Sequence, residues 1–89
     1  MKVEFDKSFE MSLGKIHDQR ILHRFERIIT HLEISSSLSQ EPNIKKLSGY
    51  SNYFRLRIGD YHIGFELLNR NTIRFIIIAH REDIYKIFP

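Results

Sequence analysis

The sequence predicts an α+β domain in two layers: an N-terminal strand, two helices packed on a four-stranded, largely antiparallel sheet, and a short C-terminal helix. Three observations carry this. Residues 53–68 read as two strands joined by a Gly59-Asp60 turn. Ile21, Leu22, Phe25, Ile28, Ile29 and Leu32 recur at helical spacing. The segments run strand, two helices, three strands and a terminal helical turn, an order that segregates the helices onto one face of the sheet.

Lys2-Val3-Glu4-Phe5 is the first strand, with Val3 and Phe5 on one side. It is expected to pair antiparallel at one edge of the sheet. Asp6 or Ser8 can accept from free N–H groups and start a helix carrying Phe9, Leu13 and Ile16, which Gly14 weakens or ends. Asp18 is a second N-cap, and the long helix that follows stops before Ser35-Ser36-Ser37. Arg20, Arg24 and Arg27 lie around the edges of its apolar stripe. The serines, Gln40-Glu41-Pro42-Asn43 and then Lys45-Lys46-Leu47-Ser48-Gly49-Tyr50 read as connectors.

Within the hairpin, pairing Ile58 with Tyr61 places Arg57 opposite His62, Leu56 opposite Ile63 and Arg55 opposite Gly64. Phe54, Leu56, Ile58, Tyr61, Ile63 and Phe65 then share an apolar face. Arg55, Arg57, His62 and the bare Gly64 share the other, which is cationic with a gap in it. Asn69-Arg70-Asn71 reads as a three-residue turn into a strand over Thr72–His80. That spacing sets Phe65 against Phe75, Glu66 against Arg74 and Ile63 against Ile77. Glu82-Asp83 open the terminal helical turn, where Ile84, Ile87 and Phe88 suit core packing. The helices are expected to cover the apolar face and to leave the cationic one open.

The 89 residues form one domain, 1–89, with 42% apolar and 28% charged residues, ordinary for a globular protein. There is no cysteine, so neither a disulfide nor a thiolate zinc site is available. The longest apolar run, Phe75 to Ala79, is five residues, against the roughly 20 that a membrane span needs. Charged and apolar residues alternate from Lys2 to Asp6, unlike a signal peptide. The expected location is the cytoplasm, with no membrane partner. Residues 1–44 hold six Lys or Arg against seven Asp or Glu, whereas residues 45–89 hold eight against four. The basic excess sits wholly in the half with the hairpin. A localised basic patch suits a polyanion, and it also serves as a solubilising surface.

Arg55 and Arg57 project about 7 Å apart from one strand face, a spacing suited to neighbouring phosphate oxygens. The competing reading is an arginine-decorated strand kept soluble. His62, flanked by arginines, is disfavoured in its charged form and able to act as a base near neutral pH. His80-Arg81 lies where the last strand leaves the sheet. Tyr85 follows Arg81 by four residues, one helical turn, and is a candidate proton acceptor. His17, His23 and His31 are six and eight residues apart, which is not metal-ligand spacing on a helix. No Ser/His/Asp order, paired catalytic carboxylates or glycine-rich phosphate loop is present. The inventory of Arg, Lys, His and one Tyr fits phosphodiester cleavage with the ribose 2′-OH as nucleophile, which requires neither metal nor cofactor.

Lys46-Leu47-Ser48-Gly49-Tyr50, then Tyr53-Phe-Arg-Leu-Arg-Ile-Gly-Asp-Tyr-His62-Ile, and finally His80-Arg81-Glu-Asp-Ile-Tyr85 closely resemble the RelE/ParE superfamily of type II toxins. The resemblance is to the RelE branch, including its archaeal members, and spans nearly the whole chain. It implies the RelE-like fold and ribosome-dependent cleavage of mRNA in the A site. It also implies a RelB-like antitoxin that wraps the toxin, with operator DNA reached only through that antitoxin. It assigns Arg55 to the scissile phosphate, Arg81 to the transition state, and Tyr85 to 2′-OH activation or base stacking. Lys45, Lys46, Arg57 and His80 would contact RNA. The family pattern usually has arginine where this chain has His62, so His62 either supplies acid–base chemistry or marks a weakened enzyme. Two further readings stay open: a ParE-type gyrase poison, and a catalytically weakened relative retained as an antitoxin partner.

Overall fold

In a computed structural model that describes residues 1–89, the chain runs β1 (Lys2–Phe5), α1 (Lys7–Leu13), α2 (Gln19–Ile34), a 3-10 turn at Leu38–Gln40 and β2 (Ile44–Lys46). It continues through β3 (Tyr53–Ile58), β4 (Tyr61–Asn69), β5 (Thr72–His80) and α3 (Ile84–Ile87). One five-stranded sheet has the order β1-β5-β4-β3-β2. The α+β architecture is as expected, with two differences at the sheet edges. The added strand is β2, which takes in Lys45 and Lys46 of the expected connector; Asn43, at φ 67°, turns the chain into it and its carbonyl accepts the Arg57 N–H at 3.1 Å. β1 pairs parallel to β5, not antiparallel. Its alternation is the same in either direction, so only tertiary packing chooses: Phe5 lies opposite Phe75 and stacks on it at 5.8 Å.

Helix starts follow local chemistry. The Asp6 carboxylate accepts the Ser8 N–H at 3.1 Å and caps α1; Asp18 accepts the Arg20 N–H at 3.0 Å and caps α2. At the far end of α2 the Met1 ammonium donates to the carbonyls of Leu32, Glu33 and Ser35 at 2.8–3.0 Å. A cation there satisfies carbonyls that the helix itself leaves unpaired.

The core lies between the helices and one sheet face. Phe9, Leu32, Leu56, Ile58, Ile63, Phe65, Ile73 and Phe75 are completely buried. Phe9, Phe25 and Phe75 meet at 5.2–5.5 Å, and Phe65 meets Phe75 edge-on at 5.7 Å. Such pairs add specificity to the area they bury.

The β3–β4 register is the expected one, from Ile58 opposite Tyr61 to Arg55 opposite Gly64. Between β4 and β5, Phe65 faces Phe75 and Glu66 faces Arg74 as expected, but Ile63 faces Ile78 rather than Ile77. A bulge places Ile76 as an extra residue between the Phe65–Phe75 and Gly64–Ile77 pairs. α1 braces it: Ser8 Oγ is 2.6 Å from the Ile76 carbonyl oxygen, and Ser12 Oγ accepts the Ile78 N–H at 3.0 Å. A second irregularity at Leu68 pairs Asn69 with Thr72, leaving a two-residue turn where three were expected. Glu66 and Arg74 are opposed, yet neither pairs with the other. Glu66 accepts from Asn52 at 2.9 Å, while Arg74 reaches Asp6 at 2.7 Å.

Phe9 is fully buried and Phe5 is 43% exposed. Phe9→Ala is therefore expected to cost about 3–5 kcal/mol of unfolding free energy, and Phe5→Ala clearly less, as measured by urea denaturation.

Candidate nucleic-acid interface

Opposite the core, side-chain alternation and sheet order set up two adjacent rows. Lys45, Arg55, Gly64 and Ile77 lie side by side across β2, β3, β4 and β5. Arg57, His62 and Ala79 form the next row. α3 then folds back over this face, so the sheet is not wholly open there: Ile84 and Phe88 are buried on it, outside the core under the helices. Tyr85 comes with them. The Arg55 guanidinium carbon sits 4.2 Å from the Tyr85 ring centroid, a cation–π contact, and the His62 ring is 6.4 Å from it.

Two recesses meet here. One of about 410 Å³ is lined by Asn43, Ile44, Lys45, Arg55, Arg57, His62 and Tyr85. The other, about 520 Å³, is lined by Arg57, Gly59, His62, Arg81, Glu82 and Tyr85. Arg81 is held at the strand exit by its N–H donating to the Asp60 carbonyl at 2.8 Å. The structure thus gathers Arg55, Arg57, His62, Arg81, Tyr85 and Lys45. Lys46 pairs with Phe54 and alternates away from this face, although it edges a neighbouring recess with Lys45, Arg55 and Tyr85.

His80 is not brought in. It pairs with Tyr61 on the helix-side face, its ring meets Tyr61 edge-on at 5.8 Å, and its Nδ1 accepts the Glu82 N–H at 3.3 Å. The Ile76 bulge is the cause. One extra residue reverses the alternation, so that Ile77 and Ala79 take the cationic face and Ile78 and His80 the other.

The electrostatics are one-sided. None of Arg55, Arg57, Arg81 or Lys45 has a carboxylate within ion-pair distance. Arg55 Nε and His62 Nδ1 are buried and have no hydrogen-bond partner. Such groups are costly unless a ligand or solvent meets them. Burial, and then the charges of Arg55, Arg57 and Arg81, hold the His62 imidazole below the ordinary histidine value of 6.5. A neutral, unpartnered imidazole among arginines can accept a proton from a group that the arginines attract. The chain brings together no cluster of three or more His, Cys, Asp or Glu.

Sequence reasoning missed two contributors. Asn43 lines the recess of about 410 Å³ through a left-handed turn that only its residue type hinted at. Phe88, expected to pack on the core, fills the gap over Gly64 on the opposite face of the sheet. A further groove of about 350 Å³, beyond the β2 edge, joins Arg57 to Arg24 and Arg27 of α2. Its carboxylate, Glu41, lies 2.6 Å from His31 Nδ1.

A histidine of depressed pKa binds fewer protons folded than unfolded. Its stabilising contribution is full above the unfolded value of 6.5 and is lost as pH falls through the folded value. NMR titration is expected to place His62 below 6.5. Arg57→Gln should raise its pKa without restoring the ordinary value, because burial, the larger cause, remains.

Comparison with known proteins bears on the fold and the family. The family described as the ParE toxin of type II toxin–antitoxin systems, parDE, matches residues 3–85. Toxin RelE3 of Methanocaldococcus jannaschii is 42% identical over 90 residues, covering all of both chains. The crystal structure of the RelB-RelE antitoxin-toxin complex from Methanococcus jannaschii superposes with a TM-score of 0.82 at 41% identity, covering 97% of this chain and 99% of that one. The archaeal RelE-RelB complex from Pyrococcus horikoshii shares the fold, with a TM-score of 0.70 at 20% identity over 90% and 93% of the two chains. No helix is long and apolar enough to cross a membrane. The chain belongs to the RelE/ParE family of toxins from type II toxin–antitoxin systems.

Proposed function

We propose that this toxin is a ribosome-dependent endoribonuclease that cuts mRNA in the A site, and that a RelB-like antitoxin neutralises it in the cytoplasm. The observation that carries the reading is the convergence of Arg55, Arg57, Arg81, His62 and Tyr85 on one sheet face with no carboxylate pairing the arginines. An unpaired cationic cleft suits a phosphodiester. A neutral imidazole within it suits removal of a 2′-OH proton.

In this reading the neutral His62 imidazole takes the 2′ proton as the 2′-oxygen attacks phosphorus. Arg55 and Arg81 meet the charge that builds on the phosphate oxygens, where fixed donors act most strongly. The bond to the 5′-oxygen breaks, that oxygen takes a proton from solvent to leave as a 5′-hydroxyl, and a 2′,3′-cyclic phosphate remains. Tyr85, with Arg55 against its ring and 65% of its surface exposed, offers aromatic area for an unstacked base. Lys45, Lys46 and Arg57 hold the backbone around the cut, and contact with operator DNA runs through the antitoxin. The reaction needs neither metal nor cofactor. The partner reading draws support from the relatives solved as RelB-RelE complexes.

The family description also favours a second reading, a gyrase poison of the ParE type. Primer extension on a message under translation separates the two. Wild type is expected to cut within ribosome-bound codons, and Arg81→Ala to lose about 10²-fold or more of that activity. An intact message alongside failed gyrase supercoiling would reverse the choice. His62→Arg decides the remaining question: slower cleavage identifies His62 as a proton acceptor, whereas faster cleavage marks it as a weakening substitution.

A further inference from the structure

Gly64 is the cross-strand partner of Arg55, and the place where its side chain would stand is occupied by the Phe88 ring. A Cβ on Gly64 would lie 2.5 Å from Cγ and Cδ2 of Phe88 and 2.7 Å from Cδ1. Three ring atoms at nearly equal distance mean that the ring lies over the strand rather than edge-on to it. Phe88 is only 3% exposed and meets Tyr53 edge-on at 5.6 Å, and Tyr53 in turn meets Tyr50 at 5.6 Å.

α3 cannot hold this position by itself. It is one turn long and has no side-chain hydrogen bond at its N-cap, whereas isolated helices of that length do not persist in water. Its attachment comes from two buried side chains, Ile84 at the start of the turn and Phe88 at its C-cap, where the backbone is already extended. The Phe88 N–H closes the turn on the Ile84 carbonyl at 3.0 Å. Tyr85 lies between these anchors in sequence but is largely exposed, and its ring meets Arg55 and His62. The placement of Tyr85 over Arg55 therefore depends on the fit of Phe88 over a residue with no side chain.

We infer that Gly64 and Phe88 form a seat that positions Tyr85 against Arg55, making both positioning residues for the cleavage site. Any side chain at position 64 lifts the C-terminal turn and separates the tyrosine from the guanidinium. The inference rests on the cleavage reading only for its effect on rate; the placement itself is a property of the free protein.

The experiment uses the full chain and two variants, Gly64→Ala and Phe88→Ala. NMR cross-relaxation is read between the Tyr85 ring and the Arg55 side chain, and within the Phe9, Phe25 and Phe75 cluster. The seat predicts that the Tyr85–Arg55 signal disappears in both variants while the phenylalanine cluster keeps its own. Cleavage of translated message is then measured for Gly64→Ala in the wild-type and Tyr85→Ala backgrounds. The expected loss is about 10-fold or more in the first and within about two-fold in the second, because the substitution acts through Tyr85. Persistence of the Tyr85–Arg55 signal in both variants overturns the inference, as does an equal loss of cleavage in both backgrounds. If wild type itself leaves the message intact, the reaction reading falls, and the NMR comparison alone decides the seat.

Discussion

The register of the β3–β4 hairpin is the constraint on which the rest of the molecule depends. Ile58 opposite Tyr61 puts Leu56 and Ile63 under the helices and Arg55, Arg57 and His62 on the far side. A slip of one residue in β3 would exchange these sets, burying two guanidinium groups and exposing the apolar residues. The Gly59-Asp60 turn, with Gly59 at φ +58°, prevents that slip. The phenylalanine cluster then penalises any alternative pairing, since Phe65 and Phe75 must meet beneath α1. Core and candidate site are thus two consequences of one register.

The far side of the sheet gives up stability that the near side supplies. Three arginines converge on a histidine with no acid to balance them, and two buried nitrogens lack partners. The cation–π contact of Arg55 with Tyr85 offsets part of this, and it does so with a side chain that a base can also use. A surface selected only for stability would place a carboxylate among these arginines. Glu82, at the rim, pairs with none of them. The arrangement is that of a cleft whose counterion arrives with the ligand.

Much of this was legible in the sequence, because the hairpin signals are local. Alternation and a glycine-containing two-residue turn suffice to pair β3 with β4, and two acidic N-caps locate the helices. What was not legible depends on distant contacts. The direction of β1 is decided by Phe5 against Phe75, and β2 exists because Lys45 and Lys46 of a polar connector, with Ile44, find an edge. The Ile76 bulge has no signature in the run Phe75-Ile-Ile-Ile78, since every residue there is apolar. It nevertheless reverses the alternation beyond it, which moves Ile77 out of register with Ile63 and carries His80 to the wrong side for RNA. The gap at Gly64 was visible, but its occupant was not: Phe88 is as apolar as any residue of the helix-side core, and only the fold-back of α3 distinguishes the two.

The most direct test of the central claim, that the cationic face cleaves RNA through the 2′-OH, replaces one ribose. A translated message carrying a single 2′-deoxynucleotide on the 5′ side of the cut is compared with its all-ribose counterpart, and the product ends are analysed. The account predicts that the substituted message survives at that site and that the ribose message yields a 2′,3′-cyclic phosphate. Cleavage of the deoxy-substituted site, or a 3′-hydroxyl at the cut end, would contradict it.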